Sequence, residues 1–205
     1  KDYGLIRTIY YKWFVYFVVL PVSKLMYNIK IEGRENVPKG SRLIFAGNHV
    51  SYLDPPMMSY AVQKLVAYMG KKELFESKNP VLRFLVHTLG GFAVNREKPE
   101  LATFKTVKAV FNTPWSLGIF PQGTRQEPGI IHDITKGFAS LAKATKCGII
   151  PVGIIGTEVA KYLPFSGKIV VKIGEMIPYS ENVEEMVDKV IFESTSLGAD
   201  YNIYF

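Results

Sequence analysis

The sequence predicts an α/β fold, in which a single domain with a mainly parallel, mixed sheet flanked by helices follows an N-terminal helical segment at a membrane interface. Two observations predict this class. Short apolar runs typical of strands alternate with longer runs of helical periodicity, and polar or glycine-rich segments stand where the apolar runs end. The chain has 205 residues, 48% of them apolar, which is enough for one substantial core and excludes a disordered or collagen-like protein.

The N-terminal stretch 5–31 is unusually apolar and aromatic for a soluble domain. Its clean apolar run, Trp13 to Val22, has only about ten residues, too few to span a bilayer of roughly 30 Å, and Pro21 should break or kink a helix there. Residues 1–30 also carry a basic excess that anionic lipid would attract. We therefore predict two short helices that meet near Pro21, with residues 1–30 anchoring a domain of residues 31–205. A buried core helix and a signal peptide are the alternatives.

The later elements follow from apolar periodicity and from Gly, Pro and Asn at the ends of each run. Strands are predicted within 31–42 and at 43–46, 65–69, 92–94, 115–120, 148–155 and 169–173. Helices are predicted at 55–62, 80–86, 100–111, 135–146 and 183–195. No internal repeat or linker divides the sequence.

One strand-to-helix turn carries residues suited to chemistry. Asn48 and His49 follow the strand pattern 43–46, and Asp54 stands at the start of the next helix. A neutral imidazole can act as a general base near neutral pH, and a carboxylate on its other ring nitrogen would fix its tautomer and stabilise the imidazolium. Such a pair can activate a hydroxyl that belongs to a substrate.

Two further interpretations concern the same turn. Backbone N–H groups at the start of the new helix could hold an oxyanion. For an isolated His-x4-Asp pattern, however, the commoner explanation is a capped turn without chemistry, in which Asp54 is an ordinary N-cap residue.

The pattern is not isolated, because four ordered blocks within residues 30–175 resemble the glycerolipid acyltransferases. Asn48, His49 and Asp54 match the first block, Asn-His-x4-Asp. The later blocks are 91–96, 120–125 with the sequence Phe-Pro-Gln-Gly-Thr-Arg, and 150–152 with Ile-Pro-Val. Lys71 and Leu74 also resemble the family segment Ala-Lys-x-Glu-Leu. The chain is most similar to the lysophosphatidic acid acyltransferases of bacterial type.

This resemblance implies a reaction and its participants. A fatty acyl group would pass from an acyl thioester, carried on coenzyme A or acyl carrier protein, to the free hydroxyl of lysophosphatidic acid, giving phosphatidic acid. His49 would be the general base and Asp54 would orient it. The acyl donor would be a co-substrate, with no bound cofactor. The implied partners are membrane lipid, a lysophospholipid, the donor carrier and an anionic membrane surface, at the cytoplasmic face of the inner or plasma membrane.

The blocks also identify candidate residues for substrate binding. Arginine can bind two phosphate oxygens through its planar guanidinium, and glycine lets a backbone approach a ligand closely. The charged and glycine-rich turns follow several strands, and in this fold class such turns gather at one edge of the sheet. The candidates are Asn48, Lys71, Arg96, Gln122, Gly123, Thr124 and Arg125.

Two departures from the family leave the acceptor open. The third block has Gln122 where the family has Glu, which removes the charge and turns one acceptor oxygen into a donor. The segment 134–137 replaces the family's Phe-Lys-x-Gly. The alternatives are another acceptor, such as glycerol phosphate, another lysophospholipid or a glycolipid, and a non-catalytic phospholipid-binding protein on the same fold.

Other features of the sequence argue against further chemistry. The histidines show no metal-ligand spacing, so no metal site is expected. The single cysteine, Cys147, precedes a strand pattern and is predicted to be structural. The formal net charge of +7 would suit nucleic acid, but the aromatic residues cluster in the N-terminal stretch rather than along a basic face, so nucleic acid is not an expected partner.

Overall fold

The computed structural model describes residues 3–40, 42–94, 101–123, 125, 136–158, 160 and 167–198. Within them, seven strands form one mixed sheet of order β1-β7-β6-β2-β5-β3-β4. The strands are β1 Tyr27–Glu32, β2 Leu43–Gly47, β3 Val66–Lys71, β4 Phe92–Val94, β5 Ser116–Ile119, β6 Gly148–Ile155 and β7 Gly167–Ile173. Every pairing is parallel except that of β6 with β7. Strands β2 to β6 therefore end at one edge of the sheet, the carboxyl edge, where β1 and β7 begin.

Helices cover both faces of this sheet, as the sequence predicts. They are α1 Leu5–Phe14, α2 Leu20–Met26, α3 Asp54–Val62, α4 Lys72–Phe75, α5 Pro80–Thr88, α6 Leu101–Phe111, α7 Gly137–Thr145 and α8 Val183–Gly198, with a 3-10 turn at Arg34–Asn36. Met57 and Met58 of α3 share a buried cluster with Phe45. Phe138 of α7 and Met186 of α8 belong to the cluster on the other face. The predicted α/β class is thus confirmed.

Three details differ from the sequence-based expectation or cannot be compared with it. β1 begins at Tyr27, inside the stretch assigned to the N-terminal segment, and α4 is a short helix that periodicity does not predict. The predicted starts of two helices, at Glu100 and Thr135, lie outside the described residues.

The N-terminal segment forms one continuous helix over Leu5–Met26, so the predicted break at Pro21 is wrong. A π-helical turn, Val15–Val19, joins α1 to α2, and Pro21 stands in the first turn of α2. Proline lacks an N–H group and crowds the carbonyl four residues earlier in a regular α-helix. The wider π turn just before Pro21 relieves that crowding locally. With 22 residues, this helix is long and apolar enough, by length and composition, to cross a membrane.

One side of the N-terminal helix packs against the domain at the edge where β3, β4 and β5 begin. Tyr3 donates its hydroxyl to the carbonyl of Gly90 at 3.0 Å. The hydroxyl of Tyr11 accepts the backbone N–H of Val66 at 3.3 Å, and its ring lies 4.8 Å from that of Trp115. Only 22% of the apolar part of this helix is buried, so the alternative of a buried core helix is excluded. Because α2 leads directly into β1, the helix runs from this edge of the sheet to the carboxyl edge.

Candidate active site

Asn48 fixes the point where the turn after β2 leaves the sheet. Its Nδ2 donates to the carbonyl of Ile154 at 2.8 Å, and its Oδ1 accepts the N–H of Ile154 at 2.7 Å. The side chain is buried and extends the pairing of β2 with β6 beyond Gly47. This geometry gives Asn48 a structural use, while contact with a substrate stays a prediction.

His49 and Asp54 form the predicted pair. Nδ1 of His49 lies 2.8 Å from Oδ2 of Asp54. The carboxylate is fully buried, whereas 18% of the histidine side chain is exposed. Because the carboxylate can only accept at Nδ1, the neutral ring carries its proton there and has its lone pair on Nε2. The partly exposed imidazole can therefore take a proton from a group outside the protein.

Asp54 is held by donors from three directions. Oδ2 also accepts the backbone N–H groups of Val50 and Ser51, both at 2.8 Å. Oδ1 accepts the hydroxyl of the buried Thr157, just after β6, at 2.6 Å. Sequence reasoning missed Thr157, because only the adjacency of β2 and β6 brings it to a residue 103 positions away. These bonds fix the carboxylate in the one orientation that faces His49.

The start of α3 does not provide the expected oxyanion site. The N–H of Asp54 donates to the carbonyl of Ser51 at 3.3 Å, and the two prolines that follow have no N–H. The N–H of Met57 donates to the carbonyl of Leu53 at 3.0 Å. The expectation that helix-start N–H groups hold an oxyanion is therefore wrong for this first turn, since its donors are absent or already used.

Stacked aromatic rings support the imidazole. The ring of Phe120, which follows β5, lies 4.2 Å from that of His49 with an interplanar angle of 21°, and Tyr68 of β3 stacks on Phe120 at 6.1 Å. The Tyr68 hydroxyl donates to the carbonyl of Pro55 and is hydrogen-bonded to Ser59, both at 2.8 Å. Burial raises the pKa of Tyr68 well above its usual value, so it stays a neutral support. Sequence reasoning did not select these two rings.

The turn after β5 reaches the same place through Gln122. Its Oε1 accepts the backbone N–H of His49 at 3.2 Å. Gly123 adopts a left-handed backbone with φ +75°, and its N–H donates to the carbonyl of Phe120 at 2.9 Å. A side chain at Gly123 would strain this tight turn, which brings Gln122 to His49.

Arg125 adjoins the His49 turn through Tyr52. The guanidinium carbon lies 3.8 Å from the centre of the Tyr52 ring, and both side chains are exposed. The structure thus brings the first and third sequence blocks together, and Tyr52 is a further residue that sequence reasoning missed. Arg96 and Thr124 lie outside the described residues, so their predicted contacts have no structural counterpart here.

Lys71 lies at the same edge but farther out. It is the exposed last residue of β3, and β5 separates β3 from β2. Neighbouring strands are about 4.8 Å apart, so the Lys71 backbone is offset from the His49 strand by roughly 10 Å across the sheet. A long lysine side chain could cover part of that distance, and its predicted contact with substrate stays a prediction.

The sequence is similar to a protein family and to several curated proteins. A family model described as Acyltransferase matches residues 28–155. The chain is 32% identical to the 1-acyl-sn-glycerol-3-phosphate acyltransferase of Borreliella burgdorferi over 143 residues, which are 68% of this chain and 56% of the relative. It is 28% identical to the Bacillus subtilis protein of the same name over 155 residues, 75% of this chain and 76% of the relative.

A solved structure has the same fold. The crystal structure of the 1-acyl-sn-glycerophosphate (LPA) acyltransferase PlsC from Thermotoga maritima superposes with a TM-score of 0.68. The alignment covers 95% of both chains at 23% sequence identity. The chain thus spans little more than half of the Borreliella relative but nearly the whole of this solved chain.

Proposed function

Because this chain belongs to the acyltransferase family, we propose that it transfers a fatty acyl group from an acyl thioester to the free hydroxyl of lysophosphatidic acid, giving phosphatidic acid. Curated relatives from Borreliella burgdorferi and Bacillus subtilis are named for acylation of this acceptor. The observation that carries the proposal is the 2.8 Å contact between His49 and the buried Asp54 at the carboxyl edge.

The proposed reaction needs no covalent enzyme intermediate. Nε2 of His49 takes the proton of the acceptor hydroxyl while the hydroxyl oxygen attacks the thioester carbonyl carbon. The tetrahedral intermediate collapses, the C–S bond breaks, and the imidazolium returns its proton to the departing thiolate. Asp54 stabilises the imidazolium and keeps the ring in the required tautomer. The ester and the free thiol of the donor are the products.

We infer that Arg125 binds the phosphate of the acceptor, with Arg96, Thr124 and Lys71 as further candidates. A guanidinium over an aromatic ring still has its N–H donors free at its edge, where they can bind two phosphate oxygens. Gln122 uses its carbonyl oxygen for His49, so its amide N–H groups are the part that can face an acceptor.

We further propose that the N-terminal helix attaches the protein to the membrane interface, with residues 1–30 as the anchor and residues 31–205 as the acyltransferase domain. One side of the helix packs on the domain along most of its length, which favours lying along the interface over crossing it. The acyl donor would be acyl-CoA or acyl carrier protein, reached from the cytoplasmic side of the inner or plasma membrane.

An acceptor screen tests the proposal. The purified protein in detergent is given labelled acyl-CoA or acyl carrier protein with lysophosphatidic acid, glycerol phosphate, another lysophospholipid or a glycolipid, and lipid products are separated. We expect label in phosphatidic acid, with His49→Ala as the blank. Transfer only to another acceptor would replace the substrate and keep the reaction. Binding of lysophosphatidic acid without turnover on either donor would favour a phospholipid-binding protein.

A further inference from the structure

We propose that helix α5 is a second membrane-contacting element, and that α5 and the N-terminal helix form one surface that docks on an anionic bilayer. The proposal rests on the membrane attachment proposed above and extends it to a part of the chain more than fifty residues away. We call this surface the α1–α5 platform. Its main apolar members are Ile6, Trp13, Phe17, Val81 and Phe84.

The first half of the platform is the outer side of the N-terminal helix. Exposed apolar side chains recur there at helical spacing, with Ile6 74%, Trp13 53% and Phe17 72% exposed. The inner side carries Tyr11 and Phe14, which are buried in the core. Because the inner side of the helix already packs on the domain, the exposed stripe is available to contact another apolar environment, such as a bilayer.

The second half is the outer side of α5. Val81 and Phe84 are 63% and 57% exposed and stand one turn apart, so they share a face of the helix. Leu85 packs against the core cluster and holds the opposite face. Val81 and Phe84 therefore form an apolar face that stays more than half exposed in the described part of the domain.

Direct contacts join the two halves. The rings of Phe14 and Phe84 meet edge to face at 5.8 Å. Nη2 of Arg7 donates to the carbonyl of Gly91 at 2.9 Å, just after α5. Helices α1 and α5 are therefore neighbours. We infer that their exposed apolar side chains lie on one surface, so that a bilayer in contact with α1 also contacts α5.

The charge of the platform identifies its partner. The sequence contains no Asp or Glu from residue 3 to residue 31 or from residue 77 to residue 96, whereas Lys12, Lys24, Lys78 and Arg83 are exposed. Apolar and aromatic side chains among cations, with no carboxylate on either helix, suit the interface of an anionic bilayer.

Helix α8, whose Met186 lies in the same core cluster as Phe14, provides an internal control. Its Phe192 is 72% exposed, as apolar as Phe84 and more accessible. Exposed carboxylates stand on the same helix, at Glu184, Glu185 and Asp188. Anionic lipid would repel that surface, so exposure alone does not make Phe192 a membrane contact.

Site-specific fluorescence tests the platform on the full chain. In a Cys147→Ser background, an environment-sensitive dye is attached to Trp13→Cys, Phe84→Cys or Phe192→Cys, and vesicles of phosphatidylglycerol and phosphatidylcholine are added. We expect blue-shifted emission and quenching by brominated lipid at positions 13 and 84, and neither at position 192. A response at 13 without one at 84 would overturn the platform and leave the proposed attachment intact. No response at either would overturn both, while acyl transfer in detergent reports separately on the enzyme.

A vesicle-partition assay measures the contribution of α5. Val81→Ser with Phe84→Ser should lower the partition coefficient about tenfold, since two apolar side chains lose their burial, and Phe192→Ser should leave it unchanged. Val81→Ser alone avoids the Phe14 contact and should give a smaller fall in the same direction. Unchanged partition of the double variant would contradict the proposal.

The oligomeric state in lipid-free solution tests the alternative that the platform is a contact between two copies of the chain. A dimer that dissociates in the Val81→Ser with Phe84→Ser variant, while vesicle binding stays unchanged, would contradict the proposal.

Discussion

The side-chain oxygen of Gln122 accepts the backbone N–H of His49 at 3.2 Å, which ties the turn after β5 to the turn after β2. This hydrogen bond requires an acceptor oxygen but no charge. The amide of Gln122 therefore accepts it as well as the carboxylate that the acyltransferase family has at this position. The departure from the family therefore preserves the contact that positions the base.

Gln122→Glu should fold normally and should keep or increase activity with lysophosphatidic acid, since the carboxylate retains the acceptor and can align an Arg or the acceptor hydroxyl. Gln122→Leu should lower kcat about tenfold, because it leaves the His49 N–H without its partner. Steady-state rates of both variants with lysophosphatidic acid and with one other acceptor measure this. A fall for Gln122→Glu with lysophosphatidic acid alone would indicate a different native head group.

His49→Ala should lower kcat by about 10²–10⁴-fold or more while the protein stays folded, because it removes the proposed general base. Asp54→Asn should also be severe, since an amide can donate to Nδ1 and permit the wrong tautomer. Rates together with circular dichroism distinguish lost chemistry from lost folding. Undiminished activity of His49→Ala would move the chemistry elsewhere.

Thr157→Val should lower kcat about tenfold with little change in KM, because the hydroxyl that orients Asp54 is lost while the substrate-facing groups remain. It should also reduce stability by about 1.5–3 kcal/mol, the range for a hydrogen bond to a charged group. Thr157→Ser keeps the hydroxyl and should restore kcat. If Thr157→Ser and Thr157→Val were equally slow well below their melting temperatures, altered packing at this position rather than the lost hydrogen bond would explain the lower kcat.

Tyr52→Ala should raise KM for lysophosphatidic acid about three- to fivefold and leave kcat nearly unchanged, because the ring that holds the Arg125 guanidinium is removed. Tyr52→Phe retains the ring and serves as the matched control. Arg125→Lys should raise KM more, since an ammonium cannot bind two phosphate oxygens in a plane. An acceptor without a phosphate group should not distinguish the variants. Equal effects on such an acceptor would remove Arg125 from phosphate binding.

Cys147 should react slowly with thiol reagents at pH 7.5, because partial burial raises the pKa of its thiol and so lowers the fraction present as thiolate. The reaction should accelerate as the pH rises through that elevated pKa. Timed modification of the native protein, with a small free thiol as reference, measures this. Cys147→Ser should retain full acyl transfer. An inactive Cys147→Ser variant would show that the thiol contributes to activity, contrary to this prediction.

The sequence predicted those parts of the fold and site that depend on local pattern. Apolar periodicity located most strands and helices, and the spacing from His49 to Asp54 predicted a contact that one turn can make by itself. The support from Thr157 and Phe120 depends on strand order, which periodicity does not encode. The continuity of the helix at Pro21 was missed for a different reason, because a local rule for proline cannot anticipate a π turn.

That π turn, Val15–Val19, keeps the buried sides of α1 and α2 in phase although it contains one residue more than an α-helical turn. The same extra residue in a regular α-helix would rotate α1 by about 100° relative to α2. Tyr3 and Tyr11 would then swing away from Gly90 and Val66. Deleting one residue from this turn should therefore leave those contacts in place, whereas inserting a second extra residue should disrupt them.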